Sequence, residues 1–154
     1  MTTKTVGSWL TPSFIVNYAS MKPGIGAQIS WADVGAGFID ANTGKKRLPA
    51  GTVIGYIKNA GATLGKAAPH GVTALTAGTV ATQYAILQTS ADEDAELVGG
   101  FNGFGTWIGG NVYENLLPDA TGTTPSKVIS AGMKTSLSTA GCNFYFNQRE
   151  VAAS

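Results

Sequence analysis

The first residues to weigh for nucleophilic chemistry are a single histidine and a single cysteine, His70 and Cys142. Such chemistry needs a nucleophile beside a base that a third group orients. His70 lies in a turn-like Pro-His-Gly stretch, and Cys142 opens an alternating stretch that is typical of a packed strand. Because no third, orienting group is indicated, the sequence predicts no catalytic site, and we do not expect an enzyme.

Four carboxylates lie close together in the sequence, at Asp92, Glu93, Asp94 and Glu96. Paired carboxylates can bind Ca²⁺ or act in acid–base catalysis. This stretch lacks the glycine and the final glutamate of an EF-hand loop. A solvated acidic loop is therefore favoured, with a salt bridge to a partner as the alternative. A single cysteine also excludes an internal disulfide and a multi-cysteine metal site, so we predict no metal and no cofactor.

Positive charge is concentrated in one short run, Lys45-Lys46-Arg47, in a chain with 10 basic and 9 acidic residues and a net charge of +1. A surface that follows phosphates needs many cations on one face, so nucleic-acid binding is not expected. In a symmetric homo-oligomer, this run could instead meet the acidic residues of a neighbouring subunit.

The composition of the chain points to partners. Only 12% of its residues are charged, whereas about 25% is typical of soluble domains. A surface with so few charges is expected to be partly hidden against other subunits; the alternative is a neutral monomer covered by Thr, Ser and Asn. Residues 1–10 lack a signal-peptide pattern, and the stretch 66–92 is too polar to span a bilayer. We expect a protein made in the cytoplasm, with no membrane association.

Short strands and tight turns are expected to position the histidine, the cysteine and the charged residues named above. Glycine is abundant, at 21 residues, and β-branched or aromatic runs predict strands at 52–57, 84–89 and 111–117. A closing strand is predicted at 142–147, where two phenylalanines alternate with polar neighbours. The fold class is therefore mainly β.

One helix is predicted, at 125–137. Thr124 is a plausible N-cap. The apolar residues within this range recur at a spacing of four and form one stripe: Ile129, Met133 and Leu137. We expect one or two short helices in all.

Residues 1–45 are interpreted as an N-terminal arm with extended segments, and residues 46–154 as a β-rich domain. Turn formers at 11–12, 22–24 and 35–37 interrupt the arm and leave no stretch long enough for a helix. Its aromatic side chains suit a segment that wraps across another subunit. The alternative is that the segment starts the sheet and fills the domain's own core.

Aromatic residues are interleaved with glycines between Gly99 and Gly110. The aromatic members are Phe101, Phe104 and Trp107. There is no Lys-Ser/Thr tail of a phosphate-binding loop. The pattern favours backbone bends that let rings pack, either in a flat contact surface or in the core.

The order of several motifs resembles a known family. A Leu-Pro-Ala-Gly-Thr-Val-Ile-Gly strand at 48–55 precedes Gln-Tyr-Ala-Ile-Leu at 83–87 and the acidic Ser-Ala-Asp-Glu-Asp-Ala at 90–95. A glycine-rich loop, the strand Asn-Val-Tyr-Glu-Asn-Leu-Leu-Pro at 111–118 and a short helix follow. This series, over roughly residues 40–146, resembles the lambda-type head decoration proteins of tailed phages, also called capsid cement proteins.

The resemblance implies a small β-barrel or β-tulip-like domain with an extended N-terminal arm. It implies a homotrimer on the outer surface of the expanded phage head, at three-fold and quasi-three-fold positions, where it clamps the major capsid protein against the pressure of packaged DNA. Such a protein is made in the host cytoplasm and resides in the virion.

Contact residues can be assigned within this interpretation. The arm supplies the expected capsid contacts, which are Trp9, Phe14, Tyr18 and Trp31. The glycine-rich stretch supplies the expected subunit–subunit contacts, which are Phe101, Phe104 and Trp107. The alternative function is another β-rich virion component, such as a tail or fibre module, or a glycan-binding module on which aromatic rings stack with sugars.

Overall fold

The computed structural model describes residues 14–58, 61, 64–71, 75, 83–93, 103–118, 120–121, 124–125 and 129–148. The strands are β1 (Lys22–Pro23), β2 (Arg47–Leu48), β3 (Val53–Tyr56), β4 (Ala67–Pro69), β5 (Tyr84–Leu87), β6 (Ala91–Asp92), β7 (Thr106–Tyr113), β8 (Ala120–Thr121), β9 (Thr124–Pro125) and β10 (Asn143–Asn147). The helix α1 (Ala131–Thr139) precedes β10, and short 3-10 turns lie at Tyr18–Ser20, Trp31–Asp33, Ala36–Phe38 and Glu114–Leu116.

The strand β7 is the centre of the main sheet, whose order is β1-β7-β5-β3-β4 with β10 also paired to β7. The pairs are antiparallel except for β7 with β10, which is parallel. Since β1 and β10 both pair with Gly109, and β1 and β5 both pair with Trp107, β5 and β10 lie end to end on the side of β7 away from β1. The smaller ladders are β2–β6 and β8–β9.

The prediction of a mainly β fold is confirmed. In the part of the chain that the structure describes, the sheets stay open and do not close into a barrel. The strands predicted at 52–57, 84–89 and 142–147 are present as β3, β5 and β10. The strand predicted at 111–117 belongs to β7, which begins earlier and ends at Tyr113.

Two hydrophobic cores cover the two faces of the main sheet. The core on the α1 face is built from Phe14, Ile15, Met21, Val53, Ile86, Trp107, Val112, Leu117, Ile129, Met133 and Leu137. The core on the opposite face is built from Ala27, Ile29, Val34, Phe38, Leu48, Ile54, Tyr56, Ala67, Ala85, Leu87, Ala91 and Phe104. Adjacent residues such as Ile86 and Leu87 belong to different cores because successive side chains of a strand point to opposite faces.

An irregularity in β7 lets Trp107 and Val112 share the α1-side core. Side chains five positions apart would point to opposite faces of a regular strand. The register against β1 shifts beside Trp107, and Gly110 has φ +129°. A Cβ at Gly110 would lie 2.8 Å from the backbone Cα of Met21, so this position requires glycine. The glycine-rich stretch therefore bends the strand and lets large side chains pack, as its pattern predicted.

The helix α1 begins later than predicted. Ser130, not Thr124, is its N-cap, and the Ser130 hydroxyl accepts a hydrogen bond from the Met133 N–H at 3.2 Å. Pro125 lies in β9 instead of the first helical turn. The predicted apolar stripe is confirmed, because all of its members are buried: Ile129, Met133 and Leu137.

Residues 14–45 belong to the same packed body as the strands that follow. They run antiparallel along β7 through Ile15 with Val112, β1, and Ala27 with Phe104. Their buried side chains include Phe14, Ile15, Met21, Ala27, Ile29, Val34 and Phe38. The alternative interpretation of the arm, that it starts the sheet and fills the domain's own core, therefore describes residues 14–45. Residues 1–13 lie outside the described residues.

Candidate functional site

The structure places His70 and Cys142 around a common neighbour, Tyr84. The His70 Nε2 lies 2.9 Å from the Ser136 hydroxyl, and the ring centroids of His70 and Tyr84 are 5.6 Å apart. The Cys142 thiol donates a hydrogen bond to the backbone carbonyl of Tyr84 at 3.1 Å. The sequence indicated neither Ser136 nor Tyr84, because both lie in stretches whose patterns indicate ordinary packing.

The pKa values in this cluster favour a structural role, in which its side chains link α1 to the sheet. Burial raises the pKa of the Cys142 thiol, which disfavours the nucleophilic thiolate. Burial also raises the pKa of Tyr84, and a hydrogen bond with Ser136 partly offsets that rise. Ser136 lies within α1, where backbone N–H groups bond to carbonyls one turn back and are not available to stabilise an oxyanion. The cluster can hold α1 on the end of the sheet.

The basic run and the acidic stretch meet within one chain. Arg47 Nε lies 3.2 Å from an Asp92 carboxylate oxygen across the β2–β6 ladder. Beside them, the Lys46 N–H donates to the Glu93 carboxylate at 3.0 Å. These contacts join the basic run to the acidic stretch within one chain, and the Arg47 and Asp92 side chains remain about half exposed. Asp94 and Glu96 lie outside the described residues.

Among the residues that the structure describes, no group of three or more His, Cys, Asp or Glu side chains could hold a metal ion.

The predicted capsid-contact residues fall in different environments. Tyr18 is 57% exposed, and its ring meets the Trp107 ring edge-on with centroids 5.7 Å apart. Trp31 is half-buried and packs edge-on against Phe104. Phe14 is only 2% exposed, so its ring faces the chain's own core and is not presented to a partner. Trp9 lies outside the described residues.

Two of the three residues predicted to contact other subunits are buried in the chain's own cores. Phe104 is 8% exposed and Trp107 is 6% exposed, and they pack in opposite cores. These two rings therefore follow the core-packing interpretation of the glycine-rich stretch. Phe101 lies outside the described residues.

An apolar surface that the sequence did not single out lies on the β7–β10 half of the sheet. We define the open face as Ile25, Ile108 and Tyr145, which are all exposed. Tyr145 reaches 66% exposure and points away from the α1-side core that holds its neighbours Phe144 and Phe146. Ile25 and Ile108 line a cavity of about 210 Å³. The alternation in β10 was the available signal, since it implies that every second side chain faces outward.

A second surface lies between the helix and the outer edge of the last strand. Among the described strands, β10 pairs only with β7. We define the α1–β10 groove as the depression of about 420 Å³ lined by Leu137, Ser138, Cys142, Phe144 and Phe146 together with neighbouring residues. It combines half-buried aromatic rings with polar side chains, which include Lys134, Thr135, Thr139 and Asn143.

The groove ends at a charged pair. The Lys134 ammonium donates to the Glu114 carboxylate, and it also lies 5.2 Å from the centroid of the Phe146 ring. The Gln148 amide donates to the other carboxylate oxygen at 2.9 Å. Two hydrogen bonds lower the pKa of Glu114, and the bond from Lys134 has a larger effect than the bond from Gln148. This pair ties the turn after β7 to α1 and β10.

In comparisons with known proteins, no protein-family model, curated protein or solved structure matches the chain. Within the described residues, none of the helices has both the length and the apolar character needed to cross a bilayer.

Proposed function

We propose that the chain is a phage capsid decoration protein that binds the outer surface of the expanded head as a homotrimer and clamps neighbouring major capsid subunits. It acts by binding alone and uses no cofactor. The observation that carries the proposal is the exposed apolar open face on the β7–β10 half of the sheet. The motif order between residues 48 and 118 supports the same assignment.

The composition fits a protein that works by contact. With 12% of its residues charged, the chain has few ionic groups to solvate its surface, and exposed apolar patches of this kind mark interaction sites. Tyr18 and Trp31 are the expected shell contacts whose side chains are at least partly accessible. Tyrosine and tryptophan are frequent anchors of protein interfaces.

The mechanism is one of linked equilibria. A ligand that binds the intact expanded lattice, and not the disrupted one, stabilises that lattice in proportion to its occupancy and affinity. A trimer that touches several capsid subunits gains further, because each contact after the first forms at a high effective concentration. Weak individual contacts therefore suffice to hold the shell against internal pressure.

The test is decoration of purified shells. The chain is incubated with expanded and unexpanded shells of its cognate major capsid protein, and the bound fraction is measured by sedimentation and imaging. We expect saturable binding to expanded shells at three-fold positions and little binding to unexpanded ones. A chain that stays monomeric and ignores expanded shells would refute the proposal.

Exposed tyrosines favour one alternative, a glycan-binding module. Tyr18 and Tyr145 are the two most exposed tyrosines of the described residues, and aromatic faces can stack on sugar rings. A glycan array run with the same protein separates the two functions, because saturable sugar binding without shell binding is the result expected of the module.

A further inference from the structure

We propose that the open face binds a protein segment that presents one large apolar side chain next to a carboxylate. The apolar side chain enters the cavity that Ile25 and Ile108 line, and the carboxylate pairs with Lys22. The segment is taken to be a surface loop of the major capsid protein, so this inference rests on the proposed function and deepens it.

The cavity exists because two strands share one side of β7. The strand β5 pairs with Trp107 and β10 pairs with Gly109, so Ile108 lies at the junction between the two ladders. The ends of the two strands and the turn before β10 contribute to the wall, through Tyr84, Ala85, Gly141 and Cys142. The strand register therefore fixes the position of the cavity.

The size and lining of the cavity indicate what it can hold. Its volume is about 210 Å³, whereas sites for cofactors and other small molecules usually measure about 300–1,000 Å³. The lining is mainly apolar, and none of its described residues has a charged side chain. These properties favour a single apolar side chain as the occupant. Side chains of this kind, seated in well-packed pockets, contribute much of the binding energy at protein interfaces.

The rim of the cavity is held in place before any partner binds. The Ile25 carbonyl accepts hydrogen bonds from the Tyr56 hydroxyl at 3.1 Å and from the Thr106 hydroxyl, and both donors are buried. A Cβ at Gly24 would lie 2.6 Å from Cγ2 of Ile108, so the glycine lets Ile108 lie directly against the backbone. A rim that is already ordered reduces the conformational entropy lost on binding.

Lys22 places a positive charge on the same side of the sheet. Met21 has an extended backbone and belongs to the α1-side core. Because successive side chains of an extended segment alternate, Lys22 points to the opposite side, where the open face lies. Its Cδ would lie 3.3 Å from a Cβ at Gly109, the residue that follows Ile108. The Lys22 side chain is therefore exposed beside the cavity.

The charge on this side of the sheet favours an acidic partner. Among the described residues, Lys22 forms no ion pair with a carboxylate. The paired and alternate neighbours of Tyr145 that share its side of the sheet are uncharged, and they are Asn111, Asn143 and Asn147. A cation in such surroundings attracts a carboxylate and repels a basic segment. The open face thus selects for an apolar side chain that is accompanied by negative charge.

Methyl NMR titrations with three small compounds test this chemistry without a shell. Phenylbutyrate, phenylbutanamide and phenylbutylamine share one apolar group and differ in charge. We expect saturable shifts at the Ile25 and Ile108 methyl groups, with the carboxylate binding about threefold more tightly than the amide and the amine binding most weakly. Equal binding of the three compounds, or shifts centred away from these methyl groups, would overturn the proposal.

A charge variant shows whether Lys22 causes the preference. Lys22→Gln should bind the carboxylate and the amide equally. The matched control is Lys58→Gln, which removes another exposed lysine after β3 and should keep the preference of the parent. Loss of the preference in both variants would mean that overall charge, and not Lys22, attracts the carboxylate.

Shell binding tests whether the capsid supplies the segment. On expanded shells of the cognate major capsid protein, Ile25→Ser should weaken binding about tenfold and Lys22→Gln about threefold. Leu64→Ser and Lys58→Gln alter exposed residues in the connection between β3 and β4, and both should bind like the parent. Circular dichroism should be unchanged in all four variants, because each replaces an exposed side chain.

The two measurements separate this inference from the proposed function. If the parent decorates expanded shells and both Ile25→Ser and Lys22→Gln bind as tightly as it does, this inference fails and the decoration function stands. If the parent binds no shell while phenylbutyrate binds at the open face with the expected charge preference, the decoration function fails and the chemistry assigned to the site stands.

Discussion

At the scale of single residues, Glu114 shows how a few polar groups join distant parts of the chain. Its carboxylate takes hydrogen bonds from Lys134 of α1 and from Gln148 beyond β10. These bonds favour the charged form, which lowers the pKa of Glu114 in the folded state. A group with a lowered folded-state pKa stabilises the fold above its ordinary pKa and loses that contribution as the pH falls through the lowered value.

We therefore predict that Glu114→Gln lowers the free energy of unfolding at neutral pH by about 0.5 kcal/mol, the size of a partly exposed ion pair. The difference from the parent should shrink as the pH falls below the ordinary pKa of glutamate and vanish once Glu114 is protonated in both states. Urea unfolding between pH 7 and pH 3 measures it. Asp92→Asn, in the half-exposed pair with Arg47, is the control, and it should lower the free energy of unfolding by less than Glu114→Gln does. A pH-independent difference would contradict the prediction.

Residue-scale prediction from the sequence had a clear limit. The rarity of His70 and Cys142 made them the obvious candidates, yet the structure surrounds them with Tyr84 and Ser136. Those partners come from residues far apart in the sequence, and one of them is a serine in a helix whose pattern signals only packing. Nothing in the local spacing could bring them together.

At the scale of elements, the start of α1 is set by its cap. The stripe Ile129, Met133 and Leu137 was predictable because its spacing depends only on the helical period. The first residue was not, since both Thr124-Pro125 and Ser130 are good helix starts by residue type. The structure uses Ser130, and Thr124-Pro125 forms β9.

We predict that Ser130→Ala lowers the free energy of unfolding by about 1 kcal/mol, because the Met133 N–H loses its hydrogen-bond acceptor. Ser138→Ala is a matched control, since Ser138 is exposed within the same helix. That change should be neutral or stabilise by up to about 0.5 kcal/mol through helix propensity. Urea unfolding monitored by circular dichroism gives both values. Equal losses for the two variants would show that the cap is not what holds the helix start.

At the scale of the whole molecule, residues 14–45 and the strands that follow share their cores. The sequence indicated an arm because turn formers interrupt this segment and no regular period survives. Phe14, Ile29 and Phe38 nonetheless lie in the cores, since irregular backbone can still pack along a strand. Hydrophobic periodicity identifies regular helices and strands, but it does not identify a segment that is buried without regular secondary structure.

We predict that deleting residues 2–13 leaves the fold intact, while deleting residues 2–40 abolishes cooperative unfolding. The longer deletion removes β1 and several buried side chains, including Ala27, Ile29, Val34 and Phe38, and each large one costs about 2–5 kcal/mol. Typical domains have only 5–15 kcal/mol in reserve. Differential scanning calorimetry compares the two truncations with the parent. A sharp transition in the longer truncation would mean that residues 41–154 form an independent domain.

The parallel pairing of β10 with β7 has a consequence for a chain that is still being made. β10 pairs with the Gly109–Tyr113 part of β7, and α1 lies between the two strands in the sequence. At about 5–20 residues per second, a ribosome completes β10 roughly two to seven seconds after β7. During that interval, the side of β7 that β10 later covers lacks this strand, so the main sheet is completed only near the end of synthesis.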